Sequence, residues 1–153
     1  MGTVRPADAG DRRTHLSPWH ASAWRSEAEA WIGAELDRLG IRITGSIEPR
    51  VRPWSIVLRV PSSSGDVYFK ATAGAMANDA RITASLARWA PRDVPHQLAA
   101  DEERGWMLPP DGGQRLRDVI TANPDIGHWE RILPRYAELS AVPEWLRDLA
   151  AAA

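Results

Sequence analysis

The chain has 153 residues, 44% of them hydrophobic and 25% charged, with 19 basic against 20 acidic side chains and a formal net charge of -1; these are the proportions of a single soluble domain with a substantial core. The even charge balance argues against nucleic acid or an anionic membrane as a general partner, and the absence of cysteine excludes disulfides and thiolate metal sites. No apolar run reaches the length of a bilayer span and the polar N-terminus has no signal-peptide segment, so the expected compartment is the cytoplasm.

Residues 1–20 mix Pro, Gly, Asp and Arg without a period and are expected to form a mobile leader. From Ser22 onward, Trp24, Ala28, Trp31, Ile32, Leu36 and Leu39 recur at steps of three and four, which predicts an amphipathic helix stopped by Gly40. Strands are expected over residues 41–51, 54–60 and 66–72, the last two joined by Pro61-Ser62-Ser63-Ser64-Gly65. In the second, Trp54, Ile56, Leu58 and Val60 alternate with Ser55, Val57 and Arg59, as a strand with one buried face requires. Helical spacing returns over residues 74–90, with Ala75, Asp79, Ile82, Leu86 and Trp89 on one stripe and Pro91 as the stop. Residues 95–100 and 106–108 read as a short hairpin turning through 101–105. The prolines and glycines of Pro109-Pro110-Asp111-Gly112-Gly113 suit a linker. Beyond it, residues 115–121 predict a short helix and 125–141 a longer one that Pro134 kinks or divides.

Lys70 is the only lysine among nineteen long basic side chains. In its strand Val67, Phe69 and Ala71 point one way, and Tyr68, Lys70 and Thr72 the other. With Phe69 in the core, Lys70 lies on the opposite surface, where its bland role is to cover apolar neighbours with its stem and leave the ammonium in water. Asp79 suggests a sharper role, because a carboxylate on the stripe of Ile82, Leu86 and Trp89 needs a cation or donors. Lys70 is the nearest cation in sequence. The alternative is that Asp79 only caps a helix starting at Ala80.

Strand, strand, lysine-bearing strand, acid-bearing helix, short hairpin and linker is the order of elements in the small lobe of protein-kinase-like enzymes. The run Trp54-Ser55-Ile56-Val57-Leu58-Arg59-Val60, with Gly65-Asp66-Val67-Tyr68-Phe69-Lys70-Ala71, the helix from Asp79, Val94-Pro95, Arg104-Gly105-Trp106-Met107-Leu108, Asp111-Gly112-Gly113 and Leu116-Arg117, resembles the N-terminal part of the aminoglycoside phosphotransferase family across roughly residues 20–141. The resemblance implies an α+β, kinase-like small lobe over residues 21–108: an antiparallel sheet of about five strands with a packed helix, preceded by the amphipathic helix. A hinge linker would follow over 109–114 and the helical start of a truncated C-terminal lobe over 115–153. It further implies residual ATP binding, with Lys70 on the phosphates and Asp79 fixing its ammonium. The loop of Arg52, Pro53 and Ser55 would lie over the phosphates, and Met107 and Leu108 would offer backbone groups to adenine. This chain departs from the family in having aspartate where glutamate is usual, and its loop lacks the G-x-G-x-x-G of protein kinases.

In that family the catalytic base and magnesium ligands come from the larger lobe, in a His-x-Asp motif with an asparagine five residues on and a later metal-binding Asp. None of His15, His20, His96 and His128 is followed by x-Asp. The stretch from Asp118 to Asn123 imitates the Asp-to-Asn spacing and Asp125-Ile126-Gly127 the metal tripeptide, but only seven residues separate Asp118 from Asp125; Arg117-Asp118 reads better as part of a short helix and Asn123-Pro124-Asp125 as the start of the next, where proline is favoured. The expectation is a truncated phosphotransferase, inactive alone, whose full form would move the γ-phosphate of ATP to a small-molecule hydroxyl, with magnesium requiring the missing lobe. The alternative is a non-catalytic remnant serving as a nucleotide- or protein-binding module. The helix after Asp125 would expose an apolar face, which favours self-association or pairing with a second chain. Trp24, Trp31 and Trp89 are expected in the core rather than stacked on a ligand.

Overall fold

The computed structural model describes residues 18–72 and 78–141. Within them the chain runs α1 (Ser22–Arg38), β1 (Glu48–Arg52), β2 (Ser55–Ser62), β3 (Gly65–Thr72), α2 (Asp79–Trp89), β4 (Ala99–Asp101), β5 (Trp106–Leu108), α3 (Leu116–Ala122) and α4 (Gly127–Ala141). The fold is α+β: among the described residues the strands form one five-stranded antiparallel sheet in the order β1-β2-β3-β5-β4.

The core lies between one face of this sheet and α1. Ile56, Leu58 and Val60 from β2, Val67, Phe69 and Ala71 from β3, and Trp106 and Leu108 from β5 are buried there against Ala28, Ile32 and Leu36 of the helix. The period-two pattern of the strands and the four-residue step of the helix thus meet as the sequence predicts. At the centre Phe69 meets Trp24, Trp31 and Trp106 edge to face, with ring centroids 6.1, 5.8 and 5.4 Å apart. Such pairs contribute about 0.5–1.5 kcal/mol each beyond the area they bury. Arg104, in the turn before β5, lies over the Trp106 ring at 4.1 Å and pairs with Glu27 of α1 at 3.0 Å, fastening the hairpin to the helix.

Several expectations need correction. Residues 18–20 do not belong to a mobile leader: they form a 3-10 turn whose Trp19 is buried on Trp24, while residues 1–17 lie outside the described residues. Helix α1 ends at Arg38 and leaves Leu39 exposed as its C-cap, with Gly40 at a φ of 70° as the stop. The expected strand 41–51 is an isolated Ile43–Ser62 bridge followed by the five-residue β1. Gly45 sits where a Cβ would meet the Pro61 side chain at 3.3 Å, a close approach that suits glycine. Trp54 is not on a buried face, because Arg52 pairs with Ser55 and leaves Pro53 and Trp54 as a two-residue turn. Only Asp79 onward of the expected helix 74–90 is helical among the described residues; residues 74–77 lie outside them.

The stripe of α2 is also not core. Its buried positions are Ala80 and Ser85, whereas Ile82 and Leu86 are half-buried and Trp89, at the helix end, is 47% exposed. Strand β4 is confined to Ala99–Asp101, and α4 continues through Pro134 as one helix. No helix among the described residues is long and apolar enough to cross a membrane.

Candidate functional site

The register of the sheet decides what stands on its second face. Arg50 of β1 is opposite Val57 of β2, Val57 opposite Lys70 of β3, and Lys70 opposite Met107 of β5. Directly paired residues share a face, so Arg50, Val57, Lys70 and Met107 form one row on the surface away from the aromatic core. Flanking rows are Glu48, Arg59 and Tyr68 on one side, and Arg52, Ser55 and Thr72 on the other.

The Lys70 ammonium donates to Oδ2 of Asp79, the first residue of α2. The two side chains are 36% and 31% exposed. A carboxylate in the first turn is favoured by the helix dipole, and the Asp79 carbonyl accepts the Thr83 hydroxyl at 2.8 Å. Asn78, not Asp79, occupies the N-cap position. Asp79 therefore combines a place in the first turn with an ion pair, and the ammonium of Lys70 does not stand alone in solvent.

Met107 is buried beside Lys70, with its sulfur 3.9 Å from Gln97 Nε2. Ser55 is buried one row further along, next to the Pro53–Trp54 turn. Leu108 turns its side chain into the core, and its carbonyl accepts the Leu98 amide at 2.9 Å. The linker leaves β5 zipped to β3: Tyr68 N–H donates to the Pro109 carbonyl at 3.0 Å, and Asp111 N–H to the Asp66 carbonyl at 3.2 Å. Lys70, Asp79 and Met107 thus come together, Ser55 lies on the same face, and only the Leu108 backbone could take part.

A cleft of about 300 Å³ on this face is lined by Glu48, Arg50, Val57, Arg59, Tyr68 and Arg115 among others. Sequence reading missed its charged residues, because the facing of Arg50 follows only from the true start of β1. The Arg59 Nε donates to Asp66 at 2.7 Å and its Nη1 to Glu48 at 3.1 Å. The hydrogen bond that Arg59 donates to Asp66, then the one it donates to Glu48, raises its pKa above the ordinary value, so it is a fixed cation held by two carboxylates. Arg50 and Arg115 have no carboxylate partner among the described residues.

Two other hollows are more apolar. One of about 380 Å³ lies between α2 and the β4 region, lined by Ala84, Ala87, His96 and Gln97, whose Oε1 is buried without a partner. The other, about 460 Å³, lies between α3 and α4 and is lined by Leu116, Ile120 and Trp129. Neither helix buries a residue, and Ile126, Trp129, Leu133 and Tyr136 stand exposed along α4 and its approach. Asp118 lies within α3, Asn123 is its C-cap, and Asp125 accepts the Gly127 amide at 2.9 Å. Among the described residues no three acidic or imidazole side chains converge to hold a metal. Comparison with protein-family models, curated proteins and solved structures finds no match.

Proposed function

We propose that this chain is the small lobe and hinge of an aminoglycoside-phosphotransferase-like protein with a protein-kinase-like fold, and that it holds the phosphates of ATP at Lys70. The observation that carries the reading is the Lys70–Asp79 ion pair on the sheet face that bears the cleft. An ammonium on a flexible stem is a point charge that neutralises phosphate oxygens, and a carboxylate on the next helix fixes where it sits. The antiparallel sheet, the acid-bearing helix after the lysine strand and a linker running on from β5 support the same reading.

The residues fit a nucleotide in part. Lys70 and Ser55 lie on the phosphate side, and the Leu108 carbonyl keeps a second lone pair for a purine amino group. Among the described residues no three acidic or imidazole side chains converge, so a magnesium ion would depend on the phosphates and on ligands from the larger lobe. With no His-x-Asp motif in the sequence, the chain alone binds without turnover. A form completed by the larger lobe would transfer the γ-phosphate to a small-molecule hydroxyl, in the cytoplasm.

Calorimetry of the chain with ATP tests this. Measurable binding that is lost in Lys70→Ala supports it; no heat, or equal binding by the variant, sinks it. ATP hydrolysis above background that disappears in Lys70→Ala would overturn the assignment of an inactive chain. The second reading, a non-catalytic module that pairs with itself or another chain, is favoured by the exposed apolar stripe Ile126, Trp129, Leu133 and Tyr136. A strictly monomeric sedimentation profile at high concentration counts against it.

A further inference from the structure

We infer that the cleft on the second face of the sheet is a metal-independent polyphosphate site, in which Arg50 and Arg115 line the hollow and Lys70, beside it in the same row, meets the end of a linear chain of phosphate groups. This rests on the reading that the Lys70 face receives phosphate, and adds the residues and the charge state of the ligand.

Arg50 and Lys70 are second neighbours across the sheet, with Val57 between them. At about 4.8 Å per strand their backbones are roughly 10 Å apart, and both side chains are long enough to reach over the short valine. A ligand with a single anionic group would satisfy one of them, whereas a chain of anionic groups lying over Val57 satisfies both. Arg115 reaches the same cleft from just beyond the linker, as the N-cap residue of α3. Residues far apart in sequence therefore converge on one hollow.

The charges of the cleft are not equivalent. Arg59 is committed to Asp66 and Glu48, and these bonds counter the Glu48 carboxylate that would otherwise repel an anion. Arg50 and Arg115 are left as cations without a carboxylate among the described residues, each offering a planar fork that matches phosphate oxygens. Tyr68, in the row of Arg59, adds a hydroxyl to the lining. At about 300 Å³ the cleft is at the small end of ligand sites, which run from about 300 to 1,000 Å³, so it suits a polyphosphate better than a whole nucleotide. Because the protein itself supplies the cations, magnesium on the ligand would remove the charge that Arg50 and Arg115 recognise.

The test is calorimetry of the full chain at low salt with tripolyphosphate, ATP and adenosine, first with a chelator and then with excess magnesium. Tripolyphosphate is expected to bind without metal, and magnesium to weaken it several-fold. Arg50→Gln and Arg115→Gln should each weaken it about tenfold, the loss expected for one charge-assisted contact, while Arg92→Gln, outside the cleft, should not. Circular dichroism of each variant checks that it is folded. No binding of tripolyphosphate, binding only with magnesium, or wild-type affinity in folded Arg50→Gln and Arg115→Gln overturns the inference. If tripolyphosphate and ATP bind equally and both lose affinity in the arginine variants, the polyphosphate site stands and the preference for a nucleotide falls. If ATP binds through Lys70 but is indifferent to Arg50 and Arg115, the nucleotide reading stands and this inference fails.

Discussion

Removing Lys70 and Asp79 singly and together separates a pair kept for stability from one kept for a ligand. Both side chains are about a third exposed, which places the pair near the surface regime, where measured couplings are about 0.2–1 kcal/mol. Some desolvation remains, so the coupling energy in a double-mutant cycle is expected near 1 kcal/mol and well short of the 3–5 kcal/mol lost on breaking a buried pair. The two single variants should also differ. Lys70→Ala leaves Asp79 in the first turn of α2, where the helix dipole still favours it, whereas Asp79→Ala forfeits that contribution of about 0.3–1 kcal/mol as well as the pair. Asp79→Ala is therefore the more destabilising, by a few tenths to 1 kcal/mol. Urea unfolding followed by fluorescence of the eight tryptophans measures all four proteins. A coupling above about 3 kcal/mol, or a Lys70→Ala variant less stable than Asp79→Ala, would refute the reasoning.

Phe69→Leu keeps an apolar side chain at the centre of the core but removes three edge-to-face ring contacts; at about 0.5–1.5 kcal/mol each, a loss near 2 kcal/mol and a lower melting temperature by roughly 4–8 °C are expected. A calorimetric shift within 1 °C would show that the contacts contribute little. At Asp101, burial works against ionisation, but the amide and guanidinium of Arg104, at 2.9 and 2.7 Å, outweigh it and hold the carboxyl below its ordinary value. A depressed folded pKa gives stability that is present above the unfolded pKa and is lost as pH falls through the folded one. Asp101→Asn should accordingly flatten the decline in stability below about pH 4; an unchanged acid limb in denaturation curves from pH 2 to 5 would contradict the assignment.

The parts of the fold fixed by short-range pattern were legible. The alternation of Ile56, Leu58 and Val60 put β2 on the core, and the period of two then placed Lys70 on the other face without any knowledge of pairing. The Lys70–Asp79 pair was readable because only one lysine exists and the acid lies in the next helix. Facts that depend on which strands adjoin were not. Trp54 fits the alternation but falls in a turn set by the Arg52–Ser55 pairing. Trp89 fits the helical stripe but stands at the end of a helix that buries only Ala80 and Ser85. Arg50 and Arg115 are unremarkable as letters; the facing of the first depends on the register of β1, and the place of the second on how the linker runs after it is zipped to β3.

The order in which the ribosome delivers this core has its own consequence. Helix α1 emerges first, yet Trp24 and Trp31 find their last aromatic neighbour only in Trp106, and the Glu27–Arg104 pair spans 77 residues. At about 5–20 residues per second, roughly 4–15 s of synthesis separate Trp31 from Trp106. During that interval the helix carries two indoles whose enclosure is incomplete, and a nascent chain arrested before β5 would present them to chaperones or to other nascent chains. Inserting β5 between β3 and β4 is thus the step that both closes the core and brings Met107 beside Lys70, so the row of Arg50, Val57, Lys70 and Met107 is completed only when the helix is sealed.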